Sequence, residues 1–138
     1  MMNWDDCMKN YVKTVEPDTD KINSLIKQAK KRKEYLELIP LDEDSASILA
    51  IDYYEIIKQF LIALMLKNNL KSRNHECLIS FLYYKYPDLR DEAEFIYQLK
   101  NIRNAVSYEG APVRKEYIER NKLEFKHILK ILEKEIFL

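Results

Sequence analysis

The sequence predicts an all-α protein: an antiparallel four-helix bundle with an extra N-terminal helix and a short helix after the second bundle helix. Three observations lead there. Apolar residues recur every three or four positions, as in Phe95, Leu99, Ile102 and Val106, which is the period of one helix face. A single glycine, Gly110, in 138 residues leaves little room for the tight turns of a β protein. The chain is also rich in Leu, Ile, Lys and Glu, with no alternating strand pattern and no internal repeat. Its length suits one domain over residues 1–138, with an N-terminal arm at 1–16 and the bundle at 18–138.

The elements follow in order. Trp4, Met8, Tyr11, Val12 and Val15 are spaced for a short helix that Glu16, Pro17 and Asp18 end. A second helix starts with Asp18 or Thr19 as cap and runs to about Leu38, burying Ile22, Leu25, Ile26, Ala29 and Leu36. Its other side carries the basic run Lys30 to Lys33, read as a solvated face because no aromatic residue interleaves with the charges as single-strand binders require. The acidic loop Asp42–Ser45 caps a third helix over about Ser45 to Leu70. In that helix Ile48, Ile51, Ile56, Phe60, Ala63 and Leu64 cover one face, while Tyr53, Tyr54, Ile57, Leu61, Met65 and Leu66 extend apolar character most of the way round. So wide an apolar surface implies more than one neighbour, and in a small bundle the surplus predicts a homodimer interface. A short helix from His75 to Tyr86 is capped by Ser72 or Asn74 and stops before Pro87. Asp88 caps the next helix, which has Asp91 and Glu92 in its first turn and ends at Gly110, two residues before Pro112. A last helix over about Val113 to Phe137 buries Ile118, Phe125, Ile128, Leu129, Leu132 and Ile136.

Composition excludes several function classes. A formal net charge of zero argues against a globally basic nucleic-acid binder but leaves room for a local basic groove. The longest uninterrupted apolar run, Phe60 to Leu66, is too short to cross a bilayer, and Asp5 and Asp6 stand where an export signal would be basic and apolar. Cys7 and Cys77 lie in no CxxC pattern, so they read as two buried thiols in a reducing cytoplasm. No paired carboxylates, Gly-rich phosphate loop or metal-ligand spacing occurs, so neither a metal nor another cofactor is expected. His127, between Lys126 and Lys130, reads as a surface histidine. His75 lies in a polar connection beside Arg73, Asn74 and Glu76, where capping or a supporting role competes with chemistry.

Arg103 and Asn104 flank the apolar stripe of their helix, close to the core for such polar groups. They either satisfy neighbouring carbonyls and carboxylates or form a phosphate site, and spacing alone favours the first. The pair, followed by three residues and Tyr108 near the end of the third helix of a four-helix bundle, resembles the HEPN superfamily of helical domains, whose signature is an arginine, usually followed by a polar residue, and a histidine four to six residues further on. The stretch Lys71 to Leu82 is similar to HEPN proteins paired with minimal nucleotidyltransferases, in which a histidine followed by an acidic residue opens a short apolar helix. Together the likeness covers about Lys21 to Phe137.

The resemblance implies a toxin or defence protein that cleaves RNA without metal at a dimer groove, neutralised by a nucleotidyltransferase antitoxin. The site it implies is Arg103, Asn104 and Tyr108 as catalytic groups, with Arg103, Ser107 and His75 contacting substrate. Arg103 would stabilise charge on the scissile phosphate and Asn104 would orient it. Tyr108 stands where the motif has histidine. An ordinary phenol, with a pKa near 10, is ionised in about one molecule in a thousand at pH 7, and losing a general base typically costs about a hundredfold to ten-thousandfold in rate. Some relatives are silenced by adenylylation of a tyrosine two residues past the histidine, a position that is Gly110 here. The alternative is therefore a catalytically inactive dimer that binds RNA, nucleotide or a nucleotidyltransferase in the same groove; a third is a helical assembly module in which Arg103 and Asn104 are structural.

Overall fold

Helix α3, Ala46–Lys67, is the axis of the molecule, and its composition says why: thirteen of its 22 residues are buried. In the computed structural model, which describes all of Met1–Leu138, it packs against α2 (Thr19–Leu36), α4 (His75–Lys85), α5 (Arg90–Glu109) and α6 (Lys115–Ile136). A short α1, Trp4–Asn10, and a 3-10 turn, Pro87–Leu89, complete a mostly helical structure with one small two-stranded sheet. No helix is long and apolar enough to cross a membrane.

The apolar surplus of α3 is consumed inside the chain. Leu49, Tyr53, Ile56, Ile57, Phe60, Leu61 and Leu64 all belong to one core cluster shared by the surrounding helices. Four intramolecular neighbours account for that width, so it does not by itself call for a second subunit. Ile48, expected in the core, is 53% exposed in the first turn, where the surrounding helices leave that side open.

Helix ends follow local chemistry. Asp18 accepts the backbone N–H of Lys21 at 3.0 Å, and Asn74 accepts that of Cys77 at 3.0 Å, so each caps its helix through a side-chain oxygen. Gly110 ends α5 with φ of 68°, a left-handed conformation that costs glycine least. Asp88 does not cap α5: it lies inside the 3-10 turn, which leads directly into the helix with Leu89 at the cap position.

The N-terminal arm differs from the expected single helix. Helix α1 ends at Asn10, and Val12–Thr14 forms strand β1, antiparallel to β2, Leu70–Ser72, with Val12 opposite Ser72 and Lys13 opposite Lys71. Asn69, in a left-handed conformation that asparagine tolerates, turns the chain from α3 into β2. Three-residue strands separated by more than fifty residues leave no periodic trace in the sequence.

This arm is fastened to α4. Trp4 packs on Phe81 with ring centroids 5.4 Å apart, and the buried Ser80 hydroxyl donates to the Met2 carbonyl. Cys7 and Cys77 form a disulfide, their Cα atoms 5.6 Å apart, which corrects the expectation of two free thiols. Sequence spacing could not reveal it, because only the fold of α1 onto α4 brings residues 70 positions apart into bonding range. Closing a loop of that size is worth roughly 4 kcal/mol on chain entropy alone. Reduction, or Cys77→Ala, is expected to lower stability in urea by about 2–4 kcal/mol; an unchanged midpoint on reduction would contradict the crosslink's contribution.

Candidate functional site

Helix α3 keeps one polar stripe. Asp52, Glu55, Lys58 and Gln59 interrupt its apolar surface at helical spacing and stay partly accessible. Across from them α5 presents Lys100, Arg103 and Asn104, and the start of α4 presents His75 and Glu76. Three helices thus bring their charged residues to one place, and the site is the gap left by an otherwise apolar interface.

At its centre Arg103 Nη2 donates to Glu55 Oε1 at 3.2 Å. Its Nη1 donates to the Tyr108 hydroxyl at 3.2 Å and to Asn104 Oδ1 at 3.3 Å, and its Nε is buried with no hydrogen-bond partner. The guanidinium also lies over the Tyr108 ring, 5.7 Å from its centroid. Glu55 uses its second oxygen for Lys58, at 2.6 Å. Lys100 pairs with Glu76 at 3.7 Å, and the Tyr54 and His75 rings lie 6.1 Å apart. The centre holds three fixed cations, Lys58, Lys100 and Arg103, against two carboxylates, Glu55 and Glu76.

These neighbours set the protonation states. Burial alone would raise the Glu55 carboxyl, but the hydrogen bond and charge of Lys58, then the charge of Arg103, outweigh it and hold the group below its usual range. The hydrogen bond to Tyr108 and, against some desolvation, the charge of Glu55 hold the Arg103 proton more firmly. Burial pushes the His75 imidazole below its ordinary value; Lys58, Arg103 and Lys100 add to the lowering, while Glu55 opposes it. Burial, more than any neighbouring charge, also keeps the Tyr54 phenol protonated. At neutral pH His75 is a neutral imidazole able to accept a proton, within electrostatic reach of the ionised Glu55 carboxylate and the Arg103 guanidinium.

The structure brings together Arg103, Asn104 and Tyr108 directly, and puts His75 within the electrostatic reach of the same group. Tyr108 is 76% exposed, so its hydroxyl proton is accessible to a ligand. Ser107 is exposed and makes no hydrogen bond to these residues. Glu55, Lys58 and Lys100 were not singled out from the sequence. The signal for the first two was present: they are charges three apart in the middle of the most apolar helix. No group of three or more His, Cys, Asp or Glu side chains lies close enough together to hold a metal ion.

The His75 environment makes a signed prediction. Its imidazole should titrate below about 6.5 by NMR, and Glu55→Gln should lower it further, because the carboxylate is the one neighbour favouring the charged ring. A value at or above the ordinary one, or a rise on Glu55→Gln, would contradict the geometry. Because the unfolded chain binds this proton more readily, the linkage costs stability as pH falls through about 6.5 toward the lowered native value, and His75→Gln should flatten that slope.

Compared with models of known families, with curated proteins and with solved structures, the chain matches none.

Proposed function

We propose that this chain is a HEPN-like protein of the toxin or defence type, a four-helix bundle that cleaves RNA without a metal ion at the Arg103 centre. The observation that carries the reading is the Arg103 guanidinium held by Glu55, Asn104 and Tyr108, with Lys58, which pairs with Glu55, lining one hollow together with His75. His75, from a different helix, would supply the imidazole that the sequence motif lacks at Tyr108.

In such a reaction the ribose 2′-hydroxyl attacks the neighbouring phosphorus. Neutral His75 takes the hydroxyl proton, the 2′-oxygen bonds to phosphorus to give a 2′,3′-cyclic phosphate as the bond to the 5′-oxygen breaks, and that oxygen takes its proton from water. Arg103 stabilises the charge growing on the phosphoryl oxygens, while Glu55 and Asn104 hold its guanidinium in place. Tyr108 accepts from Arg103 and keeps its own hydroxyl proton for donation to the phosphate. A symmetric dimer would set two such centres across one groove, and a minimal nucleotidyltransferase is the partner that the likeness names.

One observation favours the second reading, a binding protein without catalysis. Three of the five guanidinium N–H groups are already used within the chain, by Glu55, Tyr108 and Asn104, and the Nε is buried. A guanidinium so engaged must exchange a partner to grip a phosphate.

The two readings separate on RNA incubated in EDTA. Wild type is expected to cut, Arg103→Ala to lose roughly a hundredfold to a thousandfold, and His75→Ala a hundredfold or more, with folding of each variant checked by circular dichroism. Binding that weakens with salt but produces no cleavage would establish the second reading. Equal cleavage by wild type and Arg103→Ala would sink the proposed site.

A further inference from the structure

Three of the four cations in the linear basic run of the sequence are paired in the fold. Lys30 pairs with Glu133, Lys31 with Glu34 at 3.4 Å and Lys33 with Glu37 at 3.4 Å. A positive cluster with no lining carboxylate lies elsewhere, assembled from three segments remote in sequence. The β1–β2 ladder sets Lys13 directly opposite Lys71, Lys21 approaches from the start of α2, and Arg73 follows β2. None of Lys9, Lys13, Lys21, Lys71 and Arg73 has a carboxylate within ion-pairing distance.

Two adjoining hollows open on this face. One, of about 350 Å³, is lined by Lys21, Lys58, Lys71, Arg73 and His75 over an aliphatic floor. The other, of about 500 Å³, is lined by Lys9, Tyr11, Lys13, Lys71 and Arg73. They share Lys71, Ser72 and Arg73, and no carboxylate lines either. Like charges directly opposite on paired strands are unfavourable, and here Lys13 faces Lys71 with nothing anionic between them. The repulsion is large enough to push the Lys71 ammonium below its ordinary range, through Lys21 first and Lys13 next. A chain of zero net charge that concentrates unpaired cations at such a cost presents a surface complementary to a polyanion.

Two features choose the polyanion. Tyr11, 50% exposed, stands between Lys9 and Lys13, and an exposed ring among cations gives an unpaired base a face to stack on. The first hollow is lined by His75 and by Lys58, and Lys58 pairs with Glu55, the carboxylate that also holds Arg103, so this face adjoins the Arg103 centre. We propose that Lys9, Tyr11, Lys13, Lys21, Lys71 and Arg73 form a track for the backbone of single-stranded RNA that leads to His75. Naming RNA rests on the function proposed above; the affinity for a polyanion rests on these charges alone. The contacts are to phosphates and a stacking face, so the track binds without sequence preference.

The test is binding of a labelled oligouridylate across a salt series by wild type, Lys71→Gln/Arg73→Gln and Tyr11→Ala. Removing two phosphate contacts should shrink the slope of log affinity against log salt by about 1.4. The double variant should be at least as stable as wild type, since it relieves the Lys13–Lys71 repulsion, so lost binding would not reflect unfolding. Tyr11→Ala should weaken binding by about tenfold with the slope unchanged. An unchanged slope in the double variant, no binding by wild type, or tighter binding to anionic vesicles than to the oligouridylate would each overturn the track. Wild type that binds with the full slope but does not cut leaves the track standing and removes the cleavage reading. Wild type that cuts while the double variant binds and cuts equally does the reverse.

Discussion

The burial of α3 on nearly every side constrains the rest of the molecule. A helix wrapped by four others can keep charge only along the strip where their coverage is thinnest, and that strip is Asp52, Glu55, Lys58 and Gln59. Partly desolvated charges need partners, and the helices bordering the strip set Arg103 from α5 and His75 from α4 near Glu55. The candidate site is a consequence of how the core is filled, with the polar groups gathered where apolar packing is incomplete.

The Glu55–Arg103 pair shows how stability and function pull on the same atoms. Its side chains are about four-fifths buried, so its attraction is screened less than that of a surface pair, yet the Arg103 Nε has no partner. The guanidinium is oriented by Glu55, Asn104 and Tyr108 together.

What could be read in the sequence divides along physical lines. Local signals were legible: the Asp18 and Asn74 caps, the Gly110 stop and the apolar stripe of α6 all depend on residues within a turn or two of one another. The Arg103, Asn104 and Tyr108 constellation was legible for the same reason, since one helix carries all three. Contacts made across the chain were not: the β1–β2 ladder, the Cys7–Cys77 crosslink and the pairing of Arg103 with Glu55, 48 residues earlier, have no local signature. The apolar width of α3 was ambiguous for a related reason, because periodicity shows that a surface is buried without saying whether the same chain or another one buries it. Lys30 to Lys33 and the hairpin cations make the contrast plain. Three of the four cations adjacent in sequence are paired off in space, while those dispersed over residues 9 to 73 stand together unpaired.

The central claim is that α3 and α5 are joined electrostatically through Glu55 and Arg103. A double-mutant cycle with Glu55→Gln and Arg103→Met, read by urea unfolding, measures that link directly. The account predicts that the two changes are coupled by about 0.5–3 kcal/mol. Stability losses that simply add, within about 0.5 kcal/mol, would contradict it.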